Sequence, residues 1–164
     1  MTMLSAGERA PEFDLPDLAG QQHRLEDALQ LGPALAVFWK SGCNTCDLAF
    51  PYLQRLAQAY PEGRWQLLAI SQEGAQASEE FARHHGLTFP ILIEGEGWPV
   101  SQQYDPDATP ALYLIEADGV ISMTSVGFHK QELNDISRRI AERLGEPPQV
   151  IAEEDDGNPP FRPG

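Results

Sequence analysis

An α/β fold, with a central mixed β-sheet flanked by helices, is predicted by three observations. Residues 34–39 and 65–70 are short, mainly apolar runs separated by a stretch of helical periodicity. That order makes a right-handed βαβ unit with parallel strands. Further on, residues 111–115 and 120–126 flank Ala117-Asp118-Gly119, and an Asp-Gly turn between strand-like runs marks an antiparallel hairpin. A parallel unit followed by a hairpin gives a sheet of mixed direction.

Taken in order, Ala10-Pro11-Glu12-Phe13-Asp14-Leu15-Pro16 and Gly20-Gln21-Gln22-His23-Arg24-Leu25 alternate weakly and are broken by Gly and Pro. They read as an N-terminal β-hairpin extension. Ala34-Leu35-Ala36-Val37-Phe38-Trp39 has no polar alternation, which suits a strand buried on both faces. Cys46, Phe50, Leu53, Ala57 and Tyr60 then form one apolar helical stripe. Pro51 inside it removes one backbone bond and should kink the helix; Pro61 and Gly63 end it. Residues 75–85 read as a helix stopped by Gly86, residues 89–93 as a short extended piece, and residues 99–104 as a further turn of helix. A last helix buries Leu133, Ile136, Ile140 and Leu144 and closes at Gly145.

The 164 residues fit one domain, assigned to residues 1–148, and 41% hydrophobic content suffices for its core. Residues 149–164, with Glu153-Glu154-Asp155-Asp156-Gly157-Asn158-Pro159-Pro160, form an acidic, Pro-rich tail expected to be disordered. Removing it should leave the chemistry unchanged. The net charge of -14 repels phosphate backbones and anionic lipid, arguing against nucleic acid and membrane as partners. Met1-Thr2-Met3-Leu4-Ser5-Ala6-Gly7-Glu8 has neither a basic nor an apolar leader region, so the expected location is cytoplasmic. In that compartment a close cysteine pair reads as catalytic or metal-binding rather than structural.

Both cysteines of the chain lie in Cys43-Asn44-Thr45-Cys46, between a buried strand and a helix. Three positions apart at a helix start, the two sulfurs share a face and lie close enough to bond. Cys43 sits where unpaired amide N–H groups and the helix dipole favour an anion, and thiolate is the species that attacks a disulfide. Cys46, one turn in, is sheltered and placed to resolve a mixed disulfide. Lys40 would support the Cys43 anion and Asp47 would oppose it. Zinc is the competing reading, but a closed site needs two more ligands. His84 and His85 diverge on their helix, while His23 and His129 stand alone. A structural disulfide across so small a loop would add little stability. No metal or organic cofactor is implied; the redox group is the Cys43–Cys46 pair itself.

On four features the sequence resembles the thioredoxin-like superfamily, in its TlpA-type and alkyl hydroperoxide reductase/thiol-specific antioxidant (redoxin) branch. They are Phe38-Trp39 ahead of the pair, the pair itself, Pro51 five residues after Cys46, and Thr109-Pro110 ahead of the hairpin. The resemblance runs from about Ala10 to Leu144, and the opening Ala10–Leu15 segment is similar to the leading hairpin of redoxins. It implies a thioredoxin-like fold in which Pro110 is cis and lies against the disulfide. It also implies that Thr109 offers backbone groups to an extended substrate segment. Gly42, Asn44 and Thr45 would complete the substrate rim, with Trp39, Lys40 and Pro51 supporting it. Three positions depart from the pattern: Gly42 replaces the usual Trp, Ala49 stands where TlpA-type proteins often carry Glu, and Pro106 replaces an apolar residue after Tyr104.

The function expected is thiol–disulfide oxidoreduction. Cys43 attacks a disulfide of a protein or small molecule, Cys46 resolves the mixed disulfide, and an external thiol reductant resets the pair. Two alternatives compete. A peroxiredoxin-like thiol peroxidase resembles Pro-x-x-x-Thr/Ser-x-x-Cys, but the matching positions are Ala36 and Lys40 ahead of Cys43, and Trp39 and Cys43 ahead of Cys46. A non-enzymatic redox-sensing module would use the tail, ending Phe161-Arg162-Pro163-Gly164, to dock a partner or fold over the site.

Overall fold

The computed structural model describes every residue except Met1 and Glu62. Strands β1 (Asp14–Pro16) and β2 (Gln22–Arg24) pair antiparallel, with Leu15 opposite His23. The Asp17 carboxylate stiffens their turn by accepting the N–H groups of Ala19 and Gln21, and it also bonds His23. A helix the sequence reading did not anticipate follows, α1 (Leu25–Leu31). It has no side-chain cap and buries only Leu25 and Ala28, so neither of the usual sequence signals marks it.

The body then runs β3 (Ala34–Trp39), α2 (Asn44–Ala59), β4 (Gln66–Ser71), α3 (Ala75–His85), β5 (Ile91–Ile93), α4 (Pro99–Tyr104), β6 (Ala111–Ile115), β7 (Ile121–Val126), β8 (Phe128–His129) and α5 (Lys130–Leu144). The central sheet has the order β5-β4-β3-β6-β7. β3, β4 and β5 are parallel; β6 runs antiparallel to both β3 and β7. The α/β mixed-sheet expectation and the N-terminal hairpin therefore hold. α3 ends where Gly86 adopts the left-handed conformation and returns its N–H to Ala82 and Arg83.

All six residues of β3 are buried, and the strand period of two divides them between two cores. Leu35, Val37 and Trp39 face α2, α3 and α5, meeting Phe50, Leu53, Phe81 and Ile136. Ala34, Ala36 and Phe38 face the other side, against Phe13, Leu25, Tyr104 and Tyr113. A strand covered on both faces is a stiff mount for whatever follows its C-terminal end, and Cys43 follows four residues after Trp39.

The segment 149–164 corrects the expectation of disorder. It folds back along α5, from the C-terminal end of that helix towards its start. Tyr60 and Ser137 hold the backbone of Gln149, and Asn134 binds Ile151 and Ala152 through both its amide groups. Ile151 and Ala152 join the core. The buried Lys130 ammonium gathers the carbonyls of Glu153, Glu154 and Asn158 and the Asp156 carboxylate. Finally β9 (Phe161–Arg162) pairs antiparallel with β8. An average over this stretch is polar, and it hides the two apolar residues and one cation partner that fix its path. Among the described residues, no helix is long and apolar enough to cross a membrane.

Candidate active site

Two pieces of chain distant in sequence build the site. β3 delivers the loop 40–43 and the start of α2. Its antiparallel neighbour β6 pairs Ala111 with Phe38, so the residues just before β6, Thr109 and Pro110, arrive beside the loop. The Thr109–Pro110 peptide is cis.

Cys43 is the N-cap of α2 and is half-buried. Its sulfur accepts the Cys46 N–H at 3.2 Å and lies 3.6 Å from the Thr109 hydroxyl. As a thiol it donates to the Thr109 carbonyl oxygen at 3.4 Å. Cys46 is fully buried, and that burial, followed by the hydrogen bond with Cys43, pushes its pKa well above the ordinary thiol range. The Lys40 backbone and Thr109 pull the other way without offsetting it. The pair is present as two free thiols, one reachable and one sheltered.

The other expected site residues fall around this centre. Gly42, at positive φ, and Asn44 flank Cys43 and are exposed. Thr45 is buried, with its hydroxyl donating to the Pro163 carbonyl at 2.7 Å. Trp39 lies beneath, packed between Phe50 and Phe81 with ring centroids 5.1 and 4.2 Å away. Lys40 is exposed. Pro51 stands on the exposed side of α2, and the helix continues past it to Ala59. The Asp47 carboxylate is engaged with His85 at 2.9 Å.

The tail reaches the site as well, with Pro163 on Thr45 and Gly164 against Thr109. A tail folded over the site was the alternative to the disordered one expected, and no local signal in residues 161–164 names these partners. Among the described residues no cluster of three or more His, Cys, Asp or Glu is arranged to hold a metal ion. The chemistry this geometry supports is sulfur exchange by two thiols at a helix start, beside the backbone of Thr109, against which Gly164 lies.

Comparisons with known proteins agree with that geometry. The sequence pattern of the AhpC/TSA family matches residues 6–124. The chain is 34% identical over 140 residues to thiol-disulfide oxidoreductase ResA of Geobacillus kaustophilus, spanning 85% of this chain and 78% of that protein. It is 31% identical over 128 residues to thioredoxin-like protein YneN of Bacillus subtilis, spanning 76% and 73%. Among solved structures it is similar to the thioredoxin domain of a thiol-disulfide oxidoreductase of Bacteroides vulgatus, with a TM-score of 0.74 and 19% identity over 84% of this chain and 98% of that one. Peroxidoxin BcpB of Mycobacterium tuberculosis also matches, with a TM-score of 0.70 and 20% identity over 88% and 97%. At these identities the structural likeness is one of fold.

Proposed function

We propose a function that proceeds from membership: the chain belongs to the AhpC/TSA family, and it is a thiol-disulfide oxidoreductase related to ResA. In our reading its substrate is a disulfide carried on an extended protein segment that docks along Thr109 and Pro110. One observation carries this reading. The Cys43 sulfur stands 3.4 Å from the Thr109 carbonyl oxygen, so a backbone lying along that residue brings its own cysteine to the nucleophile. Gly42 and Asn44 leave the rim open on the solvent side, while Trp39, Lys40 and Pro51 support the loop and the helix behind it.

The reaction proceeds in two exchanges. The Cys43 thiolate attacks one sulfur of the substrate disulfide, a Cys43–substrate bond forms, and the other substrate sulfur leaves and takes up a proton. Cys46 then loses its proton and attacks the Cys43 sulfur, closing the Cys43–Cys46 disulfide and releasing the second substrate thiol. Two electrons and two protons pass to the substrate. An external thiol reductant reverses the bookkeeping and restores both thiols. The redox group is the cysteine pair, with no organic cofactor or metal in the scheme.

The neutral, buried state of Cys46 supports the order of attack, because only the half-exposed Cys43 reaches an incoming disulfide. Peroxide is the competing oxidant. The test is single-turnover oxidation of the reduced protein by equal low concentrations of hydrogen peroxide and of a protein disulfide, followed by tryptophan fluorescence. Faster reaction with the disulfide is expected. Faster reaction with peroxide would make the protein a peroxidase instead.

A further inference from the structure

We propose that residues Phe161–Gly164 form a strap lying in the protein's own substrate groove, which a protein disulfide must displace while a small disulfide passes beside it. The inference rests on the reading of Thr109–Pro110 as the docking edge, and it adds a selection step to that edge.

The strap occupies three positions at once. Its first two residues pair as β9 with Phe128 and His129, so that short edge is already taken. Pro163 accepts the Thr45 hydroxyl at 2.7 Å, which puts the strap across the first turn of α2, between the two cysteines in sequence. Gly164 then lies so close to the docking edge that a Cβ on it would stand 2.6 Å from the Thr109 carbonyl oxygen. The floor beneath is fitted equally closely. Gly127 would carry a Cβ 2.6 Å from the Arg162 carbonyl oxygen and 2.9 Å from the Gly164 nitrogen. Extended backbone added to a strand edge is the general way a groove takes a peptide, and here the peptide is the chain's own.

The anchor and the strap differ in how firmly they are held. Residues 153–158 are tied to the buried Lys130, and Asp156 and Asn158 also bond the Tyr52 hydroxyl. Residues 159–164 are exposed throughout, with Phe161 touching the His129 ring edge-on at 5.6 Å. Pro159 and Pro160 stiffen the junction between the two. A tethered segment of that kind competes for its site at high effective concentration yet remains displaceable. Cys43 stays half-exposed with the strap seated, which leaves it open to a small disulfide.

The test uses the full chain carrying Arg162→Pro and Gly164→Val together. Proline cannot keep a ladder N–H, and the valine Cβ collides with Thr109 in the seated position. Three quantities are read: kcat/KM for insulin disulfides, kcat/KM for oxidised glutathione, and hydrogen exchange of the Lys130 amide, which donates to Pro160. A strap seated about nine-tenths of the time lowers apparent affinity by about tenfold. The variant should therefore gain about tenfold on insulin, change less than twofold on glutathione, and lose Lys130 amide protection. A released amide with no gain on insulin overturns the strap, as does an equal gain on both disulfides. A Lys130 amide still protected in the variant overturns the seat itself. Inertness of the unmodified chain towards both disulfides would instead overturn the exchange chemistry, and the strap with it.

Discussion

The Cys43 sulfur and the Thr109 carbonyl oxygen lie 3.4 Å apart although 66 positions separate them in the chain. The contact is a consequence of topology. β3 ends just before Cys43, β6 starts just after Pro110, and antiparallel pairing of the two strands sets those ends side by side. Both strands are buried along their whole length, so the relation between nucleophile and docking edge is fixed by the stiffest part of the molecule.

The raised pKa of Cys46 has a kinetic consequence. Its thiol, held neutral first by burial and then by the Cys43 hydrogen bond, must ionise to resolve the mixed disulfide. Between pH 7 and 9 the thiolate fraction of such a group grows about tenfold per pH unit. The second phase of single-turnover exchange should accelerate accordingly. A second phase independent of pH would contradict this.

Stability of the reduced form should show the same group with the opposite face. The folded pKa of Cys46 lies above its ordinary value of 9.0, so the unfolded chain releases the proton first. The contribution is therefore fully present below pH 9 and is lost as pH rises from there towards the folded value. The oxidised form, which has no thiol to ionise, should lack this slope. Urea unfolding of both forms at pH 7.5 and 10 measures it.

Three rings support the site from below. Phe50 meets Trp39 at 5.1 Å and Phe81 at 5.0 Å, all in one core. Phe50→Ala should cost about 3–5 kcal/mol, the range for removing a large buried ring. Equilibrium urea unfolding reads it, and a loss under about 1 kcal/mol would show that the surrounding side chains collapse into the space.

Acid should free the tail before it unfolds the core. The Asp156 carboxyl is held well below its ordinary value of 3.8, first by Lys130, then by the Tyr52 hydroxyl and the Asn158 N–H. A depressed folded pKa stabilises above the unfolded value and is lost as pH falls through the folded one. Below about pH 4 the hydrogen exchange of Ile151 and Ala152 should rise while that of β3 stays slow. In Asp156→Asn the tail amides should exchange fast already at neutral pH. Protection unchanged in that variant would mean Lys130 and its carbonyl partners suffice.

What was legible in the sequence followed from local rules. The run at 34–39 announced a strand buried on both faces because no polar residue interrupts it. Asp118-Gly119 marked the hairpin, and Gly86 the end of α3, through turn chemistry alone. α1 escaped because seven residues with two buried positions make no stripe. The path of residues 149–164 escaped because it depends on partners far away in sequence: Asn134, Lys130 and Tyr52. The same holds for the site. Cys43 and Cys46 stood out by spacing, whereas Thr109 came only through resemblance, since sheet pairing, not proximity along the chain, brings it to the sulfur.

The most direct test of the account is the fate of the sulfurs when one cysteine is replaced. Cys46→Ser should react once with a protein disulfide and stop as a covalent adduct through Cys43, seen by non-reducing mass spectrometry as the summed mass of both chains and dispersed by dithiothreitol. Cys43→Ser should give no adduct and no turnover. Adduct formation or retained turnover in Cys43→Ser would show that the buried Cys46 reaches substrate by itself, and the assignment of attack and resolution would be wrong.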